Sequence, residues 1–257
     1  MTVRAPEPQT EDDLEVDDRA AAGGAEKRAY VRQIFSEIAP RYDLLNHLLS
    51  LNIDKRWRRQ ALEVLQWRRA PRGMYVDLCA GTLDVGAELC ARAEFRGLVI
   101  GADFAEPMLR AGIGKAPESR LAPVVADALE LPIGDETADG AIVAFGIRNV
   151  ADLDACLREV LRVLNPGARF VILEFTTPRS SVIRAGYHLY FHHVLPLVGG
   201  IISGNHSAYR YLPKSVAHFP DEATLAHRME TAGFHNVGFK TLSLGIAAIH
   251  WGEKQHA

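Results

Sequence analysis

Short apolar runs alternate with helical segments through the middle of the chain, and this alternation constrains the fold more than any other feature. The apolar runs cover residues 74–79, 97–103, 121–127, 140–146 and 169–175, and helical periodicity marks residues near 84–93, 105–116 and 151–164. Strands that are apolar along their whole length are typical of parallel sheets with helices on both faces. The sequence therefore predicts an α/β fold built on a doubly wound, mostly parallel sheet.

The segments on either side of this region complete the predicted architecture. Residues 27–68 have a helical period and precede the first strand, and a helix from Asp221 leads into two strands around a turn near Leu244 and Gly245. These two strands predict a terminal β-hairpin with an antiparallel edge. The aromatic, histidine-bearing residues 179–212 interrupt the pattern and are interpreted as a helical lid insert.

The N-terminal residues differ from the rest in composition. Residues 1–26 contain eight acidic side chains against Arg4 and Arg19, with almost no large apolar residues. Such a segment buries too little apolar surface to fold, so it is predicted to be a disordered acidic tail. Residues 27–257 then form one domain.

Charge, cysteine usage and hydropathy exclude several function classes. The formal net charge of −3 gives no basic field for a nucleic-acid partner, and the three cysteines lack metal-ligand spacing, so no metal site is expected. No signal peptide is recognisable at the N-terminus. The longest apolar stretch, residues 189–204, contains two histidines, Pro196 and a Gly–Gly pair, which argues against a membrane span. A cytoplasmic protein is expected.

Acidic residues stand at the ends of three successive strands. The first strand ends at Asp77 before a glycine turn, the second at Asp103, and the third at Asp127 and Ala128. In a doubly wound sheet the ligand lies across these carboxyl ends. A carboxylate at Asp103 can accept both hydrogen bonds of a ribose diol, and residues 127–128 can meet an adenine edge. Helix capping by Asp103 and a plain loop role for Asp127 are the alternatives.

The glycine turn, residues 81–86, restricts which nucleotide can bind. It reads Gly-Thr-Leu-Asp-Val-Gly, so Leu83 replaces the second glycine that a dinucleotide pyrophosphate needs. Asp84 would also place a negative charge beside a phosphate. A ligand with an ammonium group and no phosphate suits this turn better. S-adenosylmethionine is such a ligand, and the terminal hairpin is typical of methyltransferases of this fold.

Four longer motifs add a more specific signal: "IAPRYDLLNHLLSLNIDKRWRR", "FGIRNV", "LNPGARFVILEF" and "SAYRYLPKSVAHFPDEATL". Through them the chain resembles the ubiquinone/menaquinone biosynthesis C-methyltransferases, a family of class I S-adenosylmethionine-dependent enzymes, over residues 31–252. The resemblance implies a seven-stranded Rossmann-like methyltransferase fold. It also implies methyl transfer to a ring carbon of a polyprenylated demethylquinol, with benzoquinol and naphthoquinol rings both open.

The resemblance also implies which residues bind S-adenosylmethionine. Carried over by position, the contacts are Thr82 in the glycine turn, Asp103 at the ribose, and Asp127 with Ala128 at the adenine. The turn itself adds Gly81 and Asp77 as cofactor-binding candidates. The chain departs from the family pattern at Leu83, where a small residue is usual, and at Ala144, where serine is common. The Leu83 side chain either narrows the cofactor pocket or packs into the core.

Arg148 and Asn149 follow the fourth strand and are the predicted catalytic residues. A quinol carbon becomes nucleophilic when a neighbouring hydroxyl ionises, so we expect Arg148 to stabilise the phenolate and Asn149 to orient it. Two alternatives stay open. Arg148 forms a salt bridge with a neighbouring acid, or a histidine of residues 188–193 accepts the proton.

Five residues are expected to bind the quinol head, with packing as the plain alternative: Tyr42, Asn46, His193, Tyr209 and Tyr211. Because a polyprenyl tail is apolar, we also expect peripheral contact with the inner face of the membrane, through the insert and the basic residues Lys55, Arg56, Arg58 and Arg59. A solvated helix face is the alternative for these basic residues. A homodimer, a different phenolic or lipid acceptor, and a non-catalytic binding protein are left open.

Overall fold

A seven-stranded mixed sheet organises the chain, in a computed structural model that describes residues 24–39, 42, 50, 52–189, 211 and 214–256. The strand order is β3-β2-β1-β4-β5-β7-β6. The strands are β1 (Met74–Leu78), β2 (Leu98–Asp103), β3 (Leu121–Val125), β4 (Ala138–Ala144), β5 (Leu164–Phe175), β6 (Phe234–Leu242) and β7 (Ala247–Lys254).

Strands β1 to β5 pair in parallel, and β7 inserts antiparallel between β5 and β6. The predicted doubly wound sheet with a hairpin edge is confirmed. The order reverses between β1 and β4, so the connections from these two strands diverge. This switch point is where a doubly wound sheet leaves a crevice for ligands.

Helices cover both faces of the sheet. They are α1 (Gly24–Ile38), α2 (Ile53–Val64), α3 (Asp84–Cys90), α4 (Glu106–Gly112), α5 (Leu153–Val163), α6 (Ser181–Leu189) and α7 (Glu222–Ala232). Aspartates cap α5 and α7, where Asp152 and Asp221 accept hydrogen bonds from backbone N–H groups three residues later at 3.0 and 2.8 Å. Local capping and apolar periodicity together fix these helices where the sequence predicts them.

Two apolar layers hold the helices to the sheet. On one face Trp67 and Tyr75 pack edge-on against Phe95, at ring-centroid distances of 5.9 and 5.6 Å. On the other face Phe170 of β5 lies 5.8 Å from Phe234 and packs with residues of α5 and α7. Both faces of the parallel strands are therefore buried, as their continuous apolar sequences predict.

Several predicted segments fall partly or wholly outside the described residues. Of the predicted tail, residues 1–23 lie outside them, and α1 already begins at Gly24. Of the predicted lid insert, α6 and Tyr211 are described, whereas His193 and Tyr209 are not, and Asn46 of the N-terminal region also lies outside the described residues. Among the helices that the structure describes, none combines the length and the apolar character needed to cross a bilayer.

Candidate active site

Leu83 is buried in the core beneath the glycine turn. It has a left-handed backbone (φ 65°, ψ 19°) at the start of α3, and its side chain is 1% exposed. A Cβ atom added to Gly101 of β2 would overlap Leu83 Cδ2, and one added to Gly112 of α4 would lie 2.9 Å from Leu83 Cγ. The leucine therefore fills the space that two glycines leave, and of its two predicted orientations the core one is correct.

A cavity that encloses about 690 Å³ of space, part of it open to solvent, lies at the carboxyl ends of β1, β2 and β4, beside the switch point. Its concave form suits a small-molecule ligand. Gly81, Asp103, Asp127 and Ala128 line it, whereas Leu83 does not. The structure thus brings these four predicted cofactor residues to one cavity. Its walls also include Arg28, Phe35, Tyr42, Met108, Ala144, Phe145 and Asn149.

Gly81 gives the cavity a wall of bare backbone. Its φ of 52° is left-handed, and an added Cβ atom would lie 3.3 Å from Met108 Cε and 3.9 Å from the Tyr42 ring. Glycine adopts this conformation without steric penalty and leaves room for a ligand.

Asp103 is fixed at the end of β2 by two backbone donors. Its Oδ2 accepts from the Gly81 N–H and its Oδ1 from the Ala105 N–H, both at 2.8 Å. Burial raises the pKa of this carboxyl, and the backbone hydrogen bonds oppose that rise. Each carboxylate oxygen keeps further lone-pair capacity toward the cavity. The predicted capping role of Asp103 is wrong, because the N-cap of α4 is Ala105 and no side chain among the described residues caps this helix; the predicted ligand role is not affected.

Asp127 connects the cavity to the N-terminal helix. Its Oδ1 accepts from the Leu129 N–H at 3.0 Å, and its Oδ2 forms an ion pair with Arg28 of α1. The neighbouring Lys27 donates to the Arg148 carbonyl at 2.7 Å, and burial, with a smaller effect of Arg148, lowers its pKa to about 8. Helix α1 therefore contacts the cavity rim at the ends of both β3 and β4.

Asp77 and Thr82, the other predicted cofactor residues, lie at the turn but outside the cavity lining. Asp77 Oδ2 accepts from the Gly86 N–H at 2.9 Å, and the residue is 1% exposed. Burial raises the pKa of Asp77 to about 7. Thr82 is also buried, and its carbonyl faces Gly112. Both residues support the turn from behind.

The expected negative charge at Asp84 is neutralised within the fold. Its carboxylate pairs with Arg58 at 2.9 Å and with Lys115 at 2.6 Å. The argument that Asp84 repels a phosphate is therefore wrong. Arg58 also pairs with Asp54 at 2.7 Å and is 9% exposed, so it cannot face a membrane as the sequence predicted.

Arg148 lies in a buried ion pair. Its Nη1 contacts Glu174 Oε1 of β5 at 2.7 Å, and its Nε donates to Ser215 Oγ at 3.3 Å. Burial raises the pKa of the Glu174 carboxyl, and Arg148 opposes that rise. Arg148 does not line the cavity. The alternative of a salt bridge to a neighbouring acid is thus the arrangement observed, and direct contact of its guanidinium with a phenolate is not supported.

Asn149 does line the cavity. The Tyr211 hydroxyl donates to its Oδ1 at 3.0 Å, and both residues are buried. Among the residues that the structure describes, no hydrogen bond involves the Asn149 Nδ2 group, so this amide N–H donor can serve a ligand. Tyr42, predicted to contact the quinol, forms another part of the wall.

Sequence reasoning missed Phe145, Phe35 and Arg28 as cavity residues. Phe145 stacks on Phe175 with ring centroids 4.6 Å apart, and Phe35 meets Tyr42 edge-on at 5.9 Å. The "FGIRNV" motif, which contains Phe145, was the available signal for the first of these. No local sequence pattern marked Arg28 as a cavity residue, because its partner Asp127 follows β3, about 100 residues later in the chain.

The cavity sits in a chain that matches one family model along almost its whole length. The ubiE/COQ5 methyltransferase family model matches residues 24–254. A demethylmenaquinone methyltransferase of Thermus thermophilus is 48% identical over 223 residues, 86% of this chain and 100% of the relative. A ubiquinone/menaquinone biosynthesis C-methyltransferase UbiE of Geobacter sulfurreducens is 42% identical over 233 residues, 89% and 90% of the two chains.

Solved structures agree at the level of the fold. A SAM-dependent methyltransferase of Thermotoga maritima has a TM-score of 0.61 at 19% identity, covering 87% of this chain and 99% of its own. The phosphoethanolamine N-methyltransferase 2 of Haemonchus contortus, solved with S-adenosyl-L-methionine, has a TM-score of 0.55 at 15% identity. It matches 77% of this chain and 53% of that chain. The predicted Rossmann-like methyltransferase fold is confirmed.

Proposed function

The chain belongs to the ubiE/COQ5 methyltransferase family, and from this premise we propose that it transfers a methyl group from S-adenosylmethionine to a ring carbon of a polyprenylated demethylquinol. The observation that carries the proposal is the cavity at the strand ends, which keeps Asp103 and Asp127 in its wall and Leu83 out of it. A non-catalytic protein with a pocket closed by Leu83 is not favoured, because that side chain is in the core.

The residues present fit S-adenosylmethionine. Asp103, held by two backbone N–H groups, has acceptor capacity for ribose hydroxyls, and Asp127 with Ala128 provides polar and apolar surface for an adenine edge. Gly81 lets the backbone approach the rest of the ligand. When bound, S-adenosylmethionine supplies an electrophilic methyl group on a sulfonium centre.

On the acceptor side, Asn149 is the residue we propose to touch the quinol. Its Nδ2 can donate a hydrogen bond to the ring oxygen, which favours the ionised form and so increases the electron density on the neighbouring carbon. Phe35, Tyr42 and Phe145 contribute aromatic surface to the cavity wall and so limit the contact of the reactants with water. In such a site a hydrogen bond to a developing charge is stronger than in water.

Arg148 is assigned a positioning role in place of the direct one. Its guanidinium binds Glu174 and Ser215, and its carbonyl accepts from Lys27, so it ties the loop that carries Asn149 to β5 and α1. Acting through Asn149, it holds the amide at the cavity wall.

The lipid nature of the acceptor supports a position at the cytoplasmic face of the membrane. A polyprenyl tail partitions into the bilayer, so the enzyme meets its acceptor at the lipid surface. Lys55, Arg56 and Arg59 of α2 are exposed and support the attraction to anionic lipid.

A methylation assay with isotopically labelled donor tests the proposal. Demethylnaphthoquinol and demethylbenzoquinol, each prenylated and dissolved in detergent, are the two acceptors. We expect labelled methyl on a ring carbon of at least one quinol, loss of labelling in Asp103→Asn, and retention in Glu106→Gln, which alters an exposed acid of α4. A protein that binds the donor but labels neither quinol contradicts the proposed acceptor.

A further inference from the structure

The turn between β6 and β7 exposes a leucine in an unfavourable backbone conformation. Leu244 has φ 61° and ψ 26°, and its side chain is 76% exposed. Leucine in the left-handed region carries a steric penalty that glycine, asparagine and aspartate largely avoid. Because the side chain is exposed, no gain from burying apolar surface offsets that penalty. The folded state alone gives no reason for a leucine here.

Two further apolar side chains are exposed on segments that meet this turn. Ile53 (41% exposed) lies one helical turn before Trp57, whose Nε1 donates to Ser243 Oγ at 3.0 Å. Val182 (80% exposed) begins α6, just after Pro178, and a Cβ atom on Gly245 would lie 3.4 Å from Pro178 Cα. We name these three exposed apolar residues, Ile53, Val182 and Leu244, the hairpin-end surface.

The same segments carry exposed positive charge. The exposed cations are Lys55, Arg56 and Arg59 of α2, Arg184 of α6, Lys240 of β6, and Arg179, which pairs with the buried Glu222 at 3.4 Å. Within residues 52–60, 178–187 and 239–246, the acidic side chain present is Asp54, which is buried and paired with Arg58. An apolar tip surrounded by cations complements the anionic head groups and acyl chains of a bilayer.

One aromatic layer separates the hairpin-end surface from the cavity. Phe145 lines the cavity, stacks on Phe175 at 4.6 Å and lies 6.0 Å from Trp57. Trp57 in turn bonds Ser243, the residue before Leu244. An apolar molecule that leaves the membrane at this surface therefore meets the cavity wall within a few side chains.

We propose that the hairpin-end surface inserts into an anionic bilayer and that the lipid acceptor enters the cavity from this side. The identity of the acceptor rests on the proposed function. The binding of a bilayer at this surface does not depend on it, so the two can fail separately.

Flotation of the full chain with vesicles tests the surface. We expect the wild type to float with vesicles of equal parts phosphatidylcholine and phosphatidylglycerol and to stay behind with phosphatidylcholine alone. Leu244→Asp and Val182→Asp should each weaken binding to the anionic vesicles by about tenfold, because a carboxylate replaces an inserting apolar group and repels the lipid. Aspartate tolerates the left-handed conformation at position 244, so folding is preserved.

Ile113→Asp is the matched control. Ile113 is 56% exposed and follows α4, which packs on β2 and β3 at the other half of the sheet. It should float like the wild type. If Leu244→Asp and Val182→Asp also float like the wild type, the proposal that the hairpin-end surface binds the bilayer is wrong. It is equally wrong if sedimentation velocity shows that the wild type is a dimer, that Leu244→Asp dissociates it, and that no vesicles bind.

Turnover separates this proposal from the proposed function. With a tail-less, water-soluble quinol, Leu244→Asp should keep the wild-type rate, and with prenylated quinol in anionic vesicles it should lose about tenfold. Equal rates of variant and wild type on the vesicle substrate overturn the entry route. Loss of flotation without methylation of either quinol by the wild type leaves the surface supported and the acceptor wrong.

Discussion

The end of the cavity proposed to bind the methyl donor, around Asp77 and Asp103 (the donor end), and the end proposed to bind the quinol, around Arg148 and Asn149 (the acceptor end), are held together by different contacts. At the donor end, Asp77 and Asp103 accept hydrogen bonds from backbone N–H groups of the glycine turn and of the following helix. At the acceptor end, backbone contacts are joined by two side-chain pairs that link segments far apart in the sequence, Arg148 with Glu174 and Tyr211 with Asn149.

Because of this difference, we expect the donor end to tolerate substitution better than the acceptor end. Backbone donors belong to the sheet and helices, so the donor end forms wherever the fold forms. The acceptor end is a buried polar network, in which the removal of one partner leaves another without compensation. A substitution at the acceptor end should therefore disturb the fold as well as the chemistry, whereas donor-end substitutions should separate the two.

The largest expected effect is at the acceptor end. Glu174→Ala leaves the Arg148 charge buried without its partner and should lower the free energy of unfolding by about 3–5 kcal/mol, measured by urea denaturation. Glu106→Ala, which removes the exposed partner of Arg110, should lose less than about 1 kcal/mol. Equal losses in both variants would mean that the buried pair does not stabilise the acceptor end.

Asp77→Asn should remove a pH-dependent loss of folding stability at the donor end. Because the folded-state pKa of about 7 lies above the unfolded value, the wild type loses stability as the pH rises from about 4 through 7. The amide still accepts from Gly86 but cannot ionise. Urea denaturation should show the variant more stable by on the order of 2–4 kcal/mol at pH 8 and nearly equal at pH 4. An identical pH slope in both proteins contradicts this.

Leu83→Ala tests whether stability and donor binding separate. The truncation leaves a gap against Gly101 and Gly112, so the free energy of unfolding should fall by about 2–3 kcal/mol. The dissociation constant for S-adenosylmethionine should stay within about twofold, because the side chain lies outside the cavity. Much tighter binding in the variant would show that the leucine had narrowed the pocket after all.

The smallest change concerns one hydroxyl. Tyr211→Phe removes the hydroxyl that donates to Asn149 Oδ1 and should lower kcat by about fivefold, a loss of roughly 1 kcal/mol, with KM for S-adenosylmethionine unchanged. Steady-state kinetics with each substrate varied in turn measures both. A rise in KM for S-adenosylmethionine with normal kcat would show that Tyr211 supports binding of the methyl donor and not of the quinol.

The sequence predicts the donor end well because its signals are local. Continuous apolar runs fix the strands, and Asp103 and Asp127 then fall at adjacent strand ends without further information. The orientation of Leu83 could not be read in this way, since it depends on Gly101 and Gly112 in other elements. The neutralisation of Asp84 by Arg58 and Lys115 is likewise a product of tertiary packing.

The acceptor end shows most clearly what the sequence alone could not predict. The "FGIRNV" motif correctly places Arg148 and Asn149 after the same strand, but neighbours in sequence have opposite surroundings here. Asn149 faces the cavity, and Arg148 turns toward Glu174 of β5. A charged residue beside a cavity suggests chemistry from sequence alone, and only the position of its partner shows that its charge is already neutralised.

Calorimetric titration of S-adenosylmethionine into the wild type and into Asp103→Asn addresses the central claim, that the strand-end cavity binds the donor through Asp103. The wild type should bind one equivalent with measurable heat, and Asp103→Asn should bind on the order of 100-fold more weakly, because an amide replaces a charged acceptor that two N–H groups hold in place. No heat with the wild type, or equal affinity in both proteins, would place the donor site elsewhere.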